Sequence, residues 1–277
     1  MKLHTIDTGY FKLDGGAMFG VVPKVIWNKL NPADEKNLCT WAMRCLLIED
    51  GNQLILVDTG MGDKQDAKFF SYYEPSYKPT IQESIEKAGY SMSDITDVLL
   101  THLHFDHCGA AISKKEDKLY TTFPKATYWS NEHHWQAAIT PNAREKASFL
   151  KENILPIQES GQLKFADEST IINENIQLKL VNGHTESMII PHINYKGKTI
   201  VYLADLIASQ AHLPISYLMA YDTQPLVTLQ EKELYLKRAV DENHILFFEH
   251  DKSIECCTVE MTERGIRAKD SFNLDQL

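Results

Sequence analysis

The chain has 277 residues, 43% of them hydrophobic, enough for a large core in a layered α/β domain. Its 38 acidic residues outnumber 28 basic ones, and the resulting net charge of −10 argues against a polyanion-binding surface and nucleic-acid partners. No apolar run reaches the roughly eighteen residues of a membrane helix, and Met1–Thr8 holds no continuous apolar stretch of a signal peptide, so a cytoplasmic protein without a membrane partner is expected.

Leu3 to Thr8 reads as a first strand. Asp14 to Lys24 is apolar at Ala17, Met18, Phe19, Val21, Val22 and Pro23 without a helix period. It either covers one end of the core or walls a pocket, and Trp27 and Trp41 fit either use. Thr40–Glu49 and Gln53–Asp58 are strand-like runs joined by the tight-turn sequence Asp50-Gly51-Asn52. Phe69, Phe70, Tyr72 and Tyr73 form an aromatic cluster in an expected loop. Thr80-Ile81-Gln82-Glu83 has capping-box spacing, and the helix it opens stops at Gly89.

Ile95 to Leu100 has the composition and length of a buried strand, and His102, His104, Asp106 and His107 follow at once. Residues 102 and 104 point the same way on an extended backbone. Imidazole and carboxylate at this density are ligands for zinc or a similar first-row metal, and four donors within six residues suggest two metals. Asp58, closing the earlier strand, is expected to orient a ligand by hydrogen bonds.

Further on, Ala126–Trp129 reads as a strand, and Asn131–Ile139 and Arg144–Asn153 as helices. His133 and His134 are expected to be solvated or capping, not ligands. Ile176–Val181 is a strand, Met188–Tyr195 and Lys198–Ala204 a hairpin, and Thr228-Leu229-Gln230-Glu231 a second capping-box spacing opening a helix to about Glu242. Ile245–Phe248 is the last strand. Cys39, Cys45, Cys108, Cys256 and Cys257 lack a disulfide spacing and are read as free thiols, with Cys108 packed behind the motif. No linker or repeat is visible, so one domain spanning 1–277 is expected.

The H-x-H-x-D-H run after a strand resembles the signature of the metallo-β-lactamase superfamily. Asn182-Gly183-His184-Thr185, Ala204-Asp205 and Glu249-His250-Asp251 are similar to its later ligand elements. The resemblance implies an αββα sandwich of two mixed sheets flanked by helices, in the α/β class. It also implies two Zn(2+) ions, with His102, His104 and His184 on one, Asp106, His107 and His250 on the other, and Asp205 bridging.

Within the superfamily, Asp14–Lys24 and Met219-Ala220-Tyr221-Asp222 resemble the quorum-quenching lactonases and related organophosphate hydrolases. That implies a dinuclear hydrolase whose zinc-bound hydroxide opens a lactone such as an acyl-homoserine lactone. Asp106 and Asp205 are its candidate catalytic carboxylates, and Met18, Phe19, Val21, Phe105 and His212 its candidate contacts to a small-molecule substrate. The lactonases carry a tyrosine three residues beyond the bridging aspartate, where this chain has Ala208. His212, Tyr217 or Tyr221 replaces it, or the enzyme is a phosphotriesterase or arylesterase. A di-iron redox role and a non-catalytic one rank below both. The aromatics at Phe69–Tyr73 serve either a homodimer contact or pocket closure.

Overall fold

The computed structural model describes residues 1–277. The first part of the chain runs β1 (Lys2–Asp14), α1 (Gly15–Phe19), α2 (Lys24–Trp27), β2 (Leu38–Asp50), β3 (Gln53–Val57), α3 (Ala67–Tyr73), α4 (Ile81–Lys87) and β4 (Asp97–Leu99). It continues with α5 (Phe105–Cys108), a small hairpin β5 (Ile112–Lys115) and β6 (Lys118–Thr121), then β7 (Thr127–Ser130), α6 (Glu132–Ile139), α7 (Lys151–Glu159) and β8 (Leu163–Phe165). The remainder is β9 (Ile176–Val181), β10 (Met188–Tyr195), β11 (Lys198–Tyr202), α8 (Pro225–Asp241), β12 (Ile245–Phe247), β13 (Cys256–Thr262) and β14 (Gly265–Phe272).

Two six-stranded sheets result, ordered β1-β2-β3-β4-β7-β8 and β14-β13-β12-β11-β10-β9. Both are mixed. In the first, β2 and β3 pair antiparallel, Leu47 opposite Leu56, whereas β4 runs parallel to β3 and β7. In the second, β12 is parallel to β11 and antiparallel to β13. Central parallel strands are buried on both faces, which explains the unbroken apolar runs Leu54–Val57 and Ile245–Phe248.

The chain forms two compact units, Met1–Gly9 with Met43–Asp167 and Ser187–Ile189, and Tyr10–Ala42 with Glu168–Glu186 and Ile190–Leu277. The core of the first gathers Leu47, Leu56, Val98, Leu100, Tyr128 and Trp135. In the second, Tyr202 and Phe247 stack at 5.4 Å between ring centroids, and Leu236 of α8 is fully buried.

Several elements depart from expectation. Residues 15–19 and 24–27 are short helices; the Asp14 carboxylate caps the first by accepting the Ala17 N–H at 2.9 Å. Phe69–Tyr73 lies in a helix, α3, whose N-cap Asp66 accepts the Phe69 N–H at 2.7 Å. The expected helix at Arg144–Asn153 begins instead at Lys151 and runs through Pro156. Thr228 lies inside α8, which starts at Pro225, where the missing N–H costs nothing in a first turn. The Thr80–Glu83 capping box is present in both directions. No helix is long and apolar enough to cross a membrane.

Candidate metal centre

In the first unit, β4 delivers the chain to Thr101, after which the backbone leaves the sheet. His102 and His104 flank Leu103 on an extended stretch, and Nε2 of His102 comes within 3.1 Å of Nδ1 of His104. Two ring nitrogens this close need a shared proton or a shared cation between them. Asp106 and His107 follow on the single turn α5, with His107 Nε2 3.7 Å from Asp106 Oδ2. All four side chains are buried.

Around them the backbone is pinned. Asp58 Oδ1 accepts the Thr101 N–H at 2.7 Å, its Oδ2 accepts the Thr101 hydroxyl at 2.6 Å, and the same oxygen lies 3.3 Å from His107 Nδ1. Asp58 thus hydrogen-bonds both the loop backbone and the His107 ring, the contacts that an orienting carboxylate makes. Thr59 donates both its N–H, at 2.7 Å, and its hydroxyl, at 2.9 Å, to the His107 carbonyl. Gly109 closes the motif because nothing larger fits: a Cβ there would sit 1.8 Å from the Met61 carbonyl oxygen.

In the second unit, β9, β11 and β12 each end beside a donor. Asp205 follows Ala204, whose φ of +43° is a strained conformation for a residue with a Cβ. Its Oδ2 lies 3.1 Å from His184 Nε2 and its Oδ1 3.0 Å from His250 Nε2. The outer nitrogens are fixed too. His184 Nδ1 is 3.0 Å from Asp222 Oδ1, and His250 Nδ1 is 2.7 Å from the Ala42 carbonyl oxygen.

A carbonyl only accepts, so His250 carries its proton on Nδ1 and, when neutral, aims the Nε2 lone pair at a carboxylate oxygen. Lone pair against lone pair is repulsive until a cation comes between them. Burial draws the His184 imidazole down, but Asp205 and then Asp222 outweigh it and hold it up at about 10. The surroundings favour positive charge, and the donors are those of zinc-type metals. The residues fit a metal.

The remaining candidates divide. Phe105 is buried beside the motif, with Phe69 edge-on at 5.1 Å and Tyr73 at 4.6 Å. Met18 and Phe19 are buried, whereas Val21 is 94% exposed. Phe19 stacks on His212 at 4.5 Å between centroids, and His212 has Nδ1 2.8 Å from the Ser209 hydroxyl and Nε2 2.9 Å from the Met18 carbonyl oxygen. With both nitrogens engaged and its basicity pushed down to about 3 by burial, His212 is a neutral strut of the second unit.

His134 corrects an expectation: it is fully buried, not solvated, and its Nε2 accepts the Leu103 N–H at 2.8 Å. Cys108 packs behind the motif, its thiol 3.3 Å from the Leu103 carbonyl oxygen. The roles of Asp222 and of Glu145, whose Oε1 is 3.8 Å from His104 Nε2, went unread in the sequence. Asp222 had a signal, since it closes the Met219–Asp222 stretch already singled out; Glu145 had none.

Two mixed sheets with helices, and imidazoles and carboxylates placed where strands end in each unit, define an α/β protein with the donor set of a metal binder. The chain belongs to the metallo-β-lactamase superfamily, whose family model matches residues 44–250. It is 30% identical to an N-acyl homoserine lactonase of Bacillus thuringiensis over 194 residues, 66% of each chain. It is similar to the structure of a probable metal-dependent hydrolase from Staphylococcus aureus, with a TM-score of 0.90 and 25% identity over 100% of this chain and 98% of that one.

A further similar structure is AidC, a dizinc quorum-quenching lactonase in complex with a product, with a TM-score of 0.78 and 24% identity over 99% and 97% of the two chains. The chain spans 29% of the length of the mycobacterial probable metallo-hydrolases that it also matches. The expected metallo-β-lactamase fold is therefore present.

Proposed function

We propose that the protein, acting as one domain over 1–277, is a dinuclear zinc hydrolase that opens a lactone of the acyl-homoserine type. His102, His104 and His184 are assigned to one metal, Asp106, His107 and His250 to the other, and Asp205 to both. The observation that carries this reading is the second-unit triad, in which both oxygens of Asp205 face imidazole nitrogens at 3.0 and 3.1 Å. Zinc is the metal proposed because imidazole and carboxylate donors suit it, and a dizinc lactonase of similar fold supports that choice.

The metal ions, when bound, supply Lewis-acid activation of water and of the substrate carbonyl. The chain's own residues hold and orient. Asp205 is committed on both oxygens, so Asp106 is the carboxylate assigned to carry the proton to the leaving oxygen. Phe105, packed against Phe69 and Tyr73, is assigned to the acyl substituent of that substrate. Met18, Phe19 and Val21 are assigned to the same substrate's contacts, Val21 alone among them through an exposed side chain.

Ala208, buried where lactonases carry a tyrosine, favours a second reading, a phosphotriesterase or arylesterase. The test is turnover of zinc-loaded protein on a long-chain acyl-homoserine lactone, an aryl ester and a paraoxon-type triester, each with a chelated control. Lactone opening lost on chelation is expected. Triester or ester cleavage without lactone opening would replace this reading with the second.

A cytoplasmic place and a homodimer contact through α3 belong to the same proposal. Phe69 and Tyr73 turn onto Phe105 and leave Tyr72, 59% exposed, as the aromatic available to a second copy. Light scattering that gives a concentration-independent monomer would remove the dimer.

A further inference from the structure

We infer that Glu231 is a positioning residue for His184, acting through the backbone of Asn182 and Gly183. This rests on the reading of His184 as a metal ligand. Beyond the end of β9 at Val181, residues 182–184 have no ladder to hold them. The Glu231 carboxylate, on the second turn of α8, holds them in its place. Its Oε1 accepts the Asn182 N–H at 2.7 Å and its Oε2 accepts the Gly183 N–H at 2.9 Å.

The start of the same helix secures the carbonyls. Gln224 donates its N–H to the Gly183 oxygen at 2.9 Å and its side-chain amide to the Asn182 oxygen at 3.1 Å, and Thr223 donates its N–H to the His184 oxygen at 3.0 Å. Residues 223–231 thus bind both N–H groups and both carbonyls of Asn182 and Gly183. The approach is close enough to need glycine, because a Cβ on Gly183 would lie 2.3 Å from the Thr228 nitrogen.

A carboxylate is suited to this place because it presents two charged acceptors to two successive N–H groups, which a single hydroxyl or amide oxygen does not. Burial raises the Glu231 carboxyl above its ordinary range, and the two amides work against that rise. Asp222 sets the orientation of the imidazole ring, and Glu231 sets the backbone from which the ring projects. Ligands are held in place by such outer groups, whose loss weakens metal binding about 10–100-fold.

The test measures zinc affinity by chelator competition for Glu231→Ala and Glu231→Gln, alone and with His184→Ala, together with the melting temperature of each metal-free variant. Glu231→Ala is expected to weaken zinc binding about 10–100-fold. Glu231→Gln, which keeps one acceptor oxygen, should fall between it and the parent. With His184 already removed, Glu231→Ala should cost no more than about twofold, since its effect passes through that ligand.

An affinity for Glu231→Ala within about twofold of the parent, or the same loss with and without His184, would overturn the inference. If the alanine variant does not fold, the glutamine variant makes the same comparison in both backgrounds. A His184→Ala protein that binds zinc with the parent's affinity and stoichiometry would instead remove His184 from the ligand set, a result obtained without touching Glu231.

Discussion

Asp58 and Thr101 are joined twice, the N–H of Thr101 to one carboxylate oxygen at 2.7 Å and its hydroxyl to the other at 2.6 Å. The second oxygen also faces His107 Nδ1 at 3.3 Å, so one buried side chain ties the strand end to the ring of a candidate ligand. In Asp58→Asn the amide oxygen keeps the Thr101 N–H, but the NH2 meets the hydroxyl and the imidazole without a negative charge. Turnover is expected to fall about 10–100-fold. Urea unfolding of the metal-free protein should show a loss of about 1–3 kcal/mol. An unchanged kcat/KM would mean that the ring of His107 needs no such support.

The five cysteines are all buried and free of disulfides. Burial pushes the Cys108 thiol up to about 12, despite the opposing pull of Lys64 and His107 nearby, and Cys257 likewise to about 12. The thiolate is the reactive form, so none should be labelled rapidly by a disulfide reagent at neutral pH. Five should react once the chain is unfolded. One fast thiol in the native protein would contradict this burial.

Much of this was legible because the first-unit donors are contiguous and follow an apolar strand, a local pattern that needs no tertiary knowledge. Asp58 could be read for the same reason, as an acidic turn at the end of a strand. Glu231 could not. Its T-x-x-E spacing with Thr228 imitates a capping box, yet Pro225 places the helix start three residues earlier, and the carboxylate turns to Asn182 and Gly183. His134 was hidden likewise, since its partner is the N–H of Leu103, thirty-one residues away. The cluster at Phe69–Tyr73 reads as loop by its aromatics, whereas Asp66, three residues before Phe69, was the cap that marks a helix.

His192 gives the fold an acid limit. It is buried beside Tyr235 and His244, and its Nε2 has no hydrogen-bond partner. Burial first, then His244, Arg238 and Lys179, pulls its basicity down to about 4, against the partial opposition of Glu242. The unfolded chain therefore takes up this proton near pH 6.5 and the folded chain only near pH 4. The stabilising difference is complete above pH 6.5 and is lost as pH falls towards 4, at up to about 1.4 kcal/mol per pH unit. Urea midpoints at pH 7 and pH 4.5 should show His192→Leu losing about 2 kcal/mol less than the parent over that interval. Equal losses in the two proteins would assign the acid sensitivity elsewhere.

Metal removal should destabilise the chain as well as silence it. Asp205 faces two imidazole nitrogens, and His102 faces His104 at 3.1 Å, so each unit gathers metal-donor atoms that a bound cation would hold together in place of protons. Zinc held at a hundredfold over its dissociation constant contributes about 2.7 kcal/mol per site through preferential binding to the folded state. For a chain of this length, two such sites correspond to a rise in Tm of about 10–20 °C. Elemental analysis should find two zinc ions per chain before chelation and none after it. Asp205→Ala, which strips the carboxylate from between His184 and His250, should show a smaller rise than the parent. Equal melting temperatures before and after stripping, in protein proven to have carried zinc, would mean that these side chains hold their places without it and that the metal is not part of the folded state's stability.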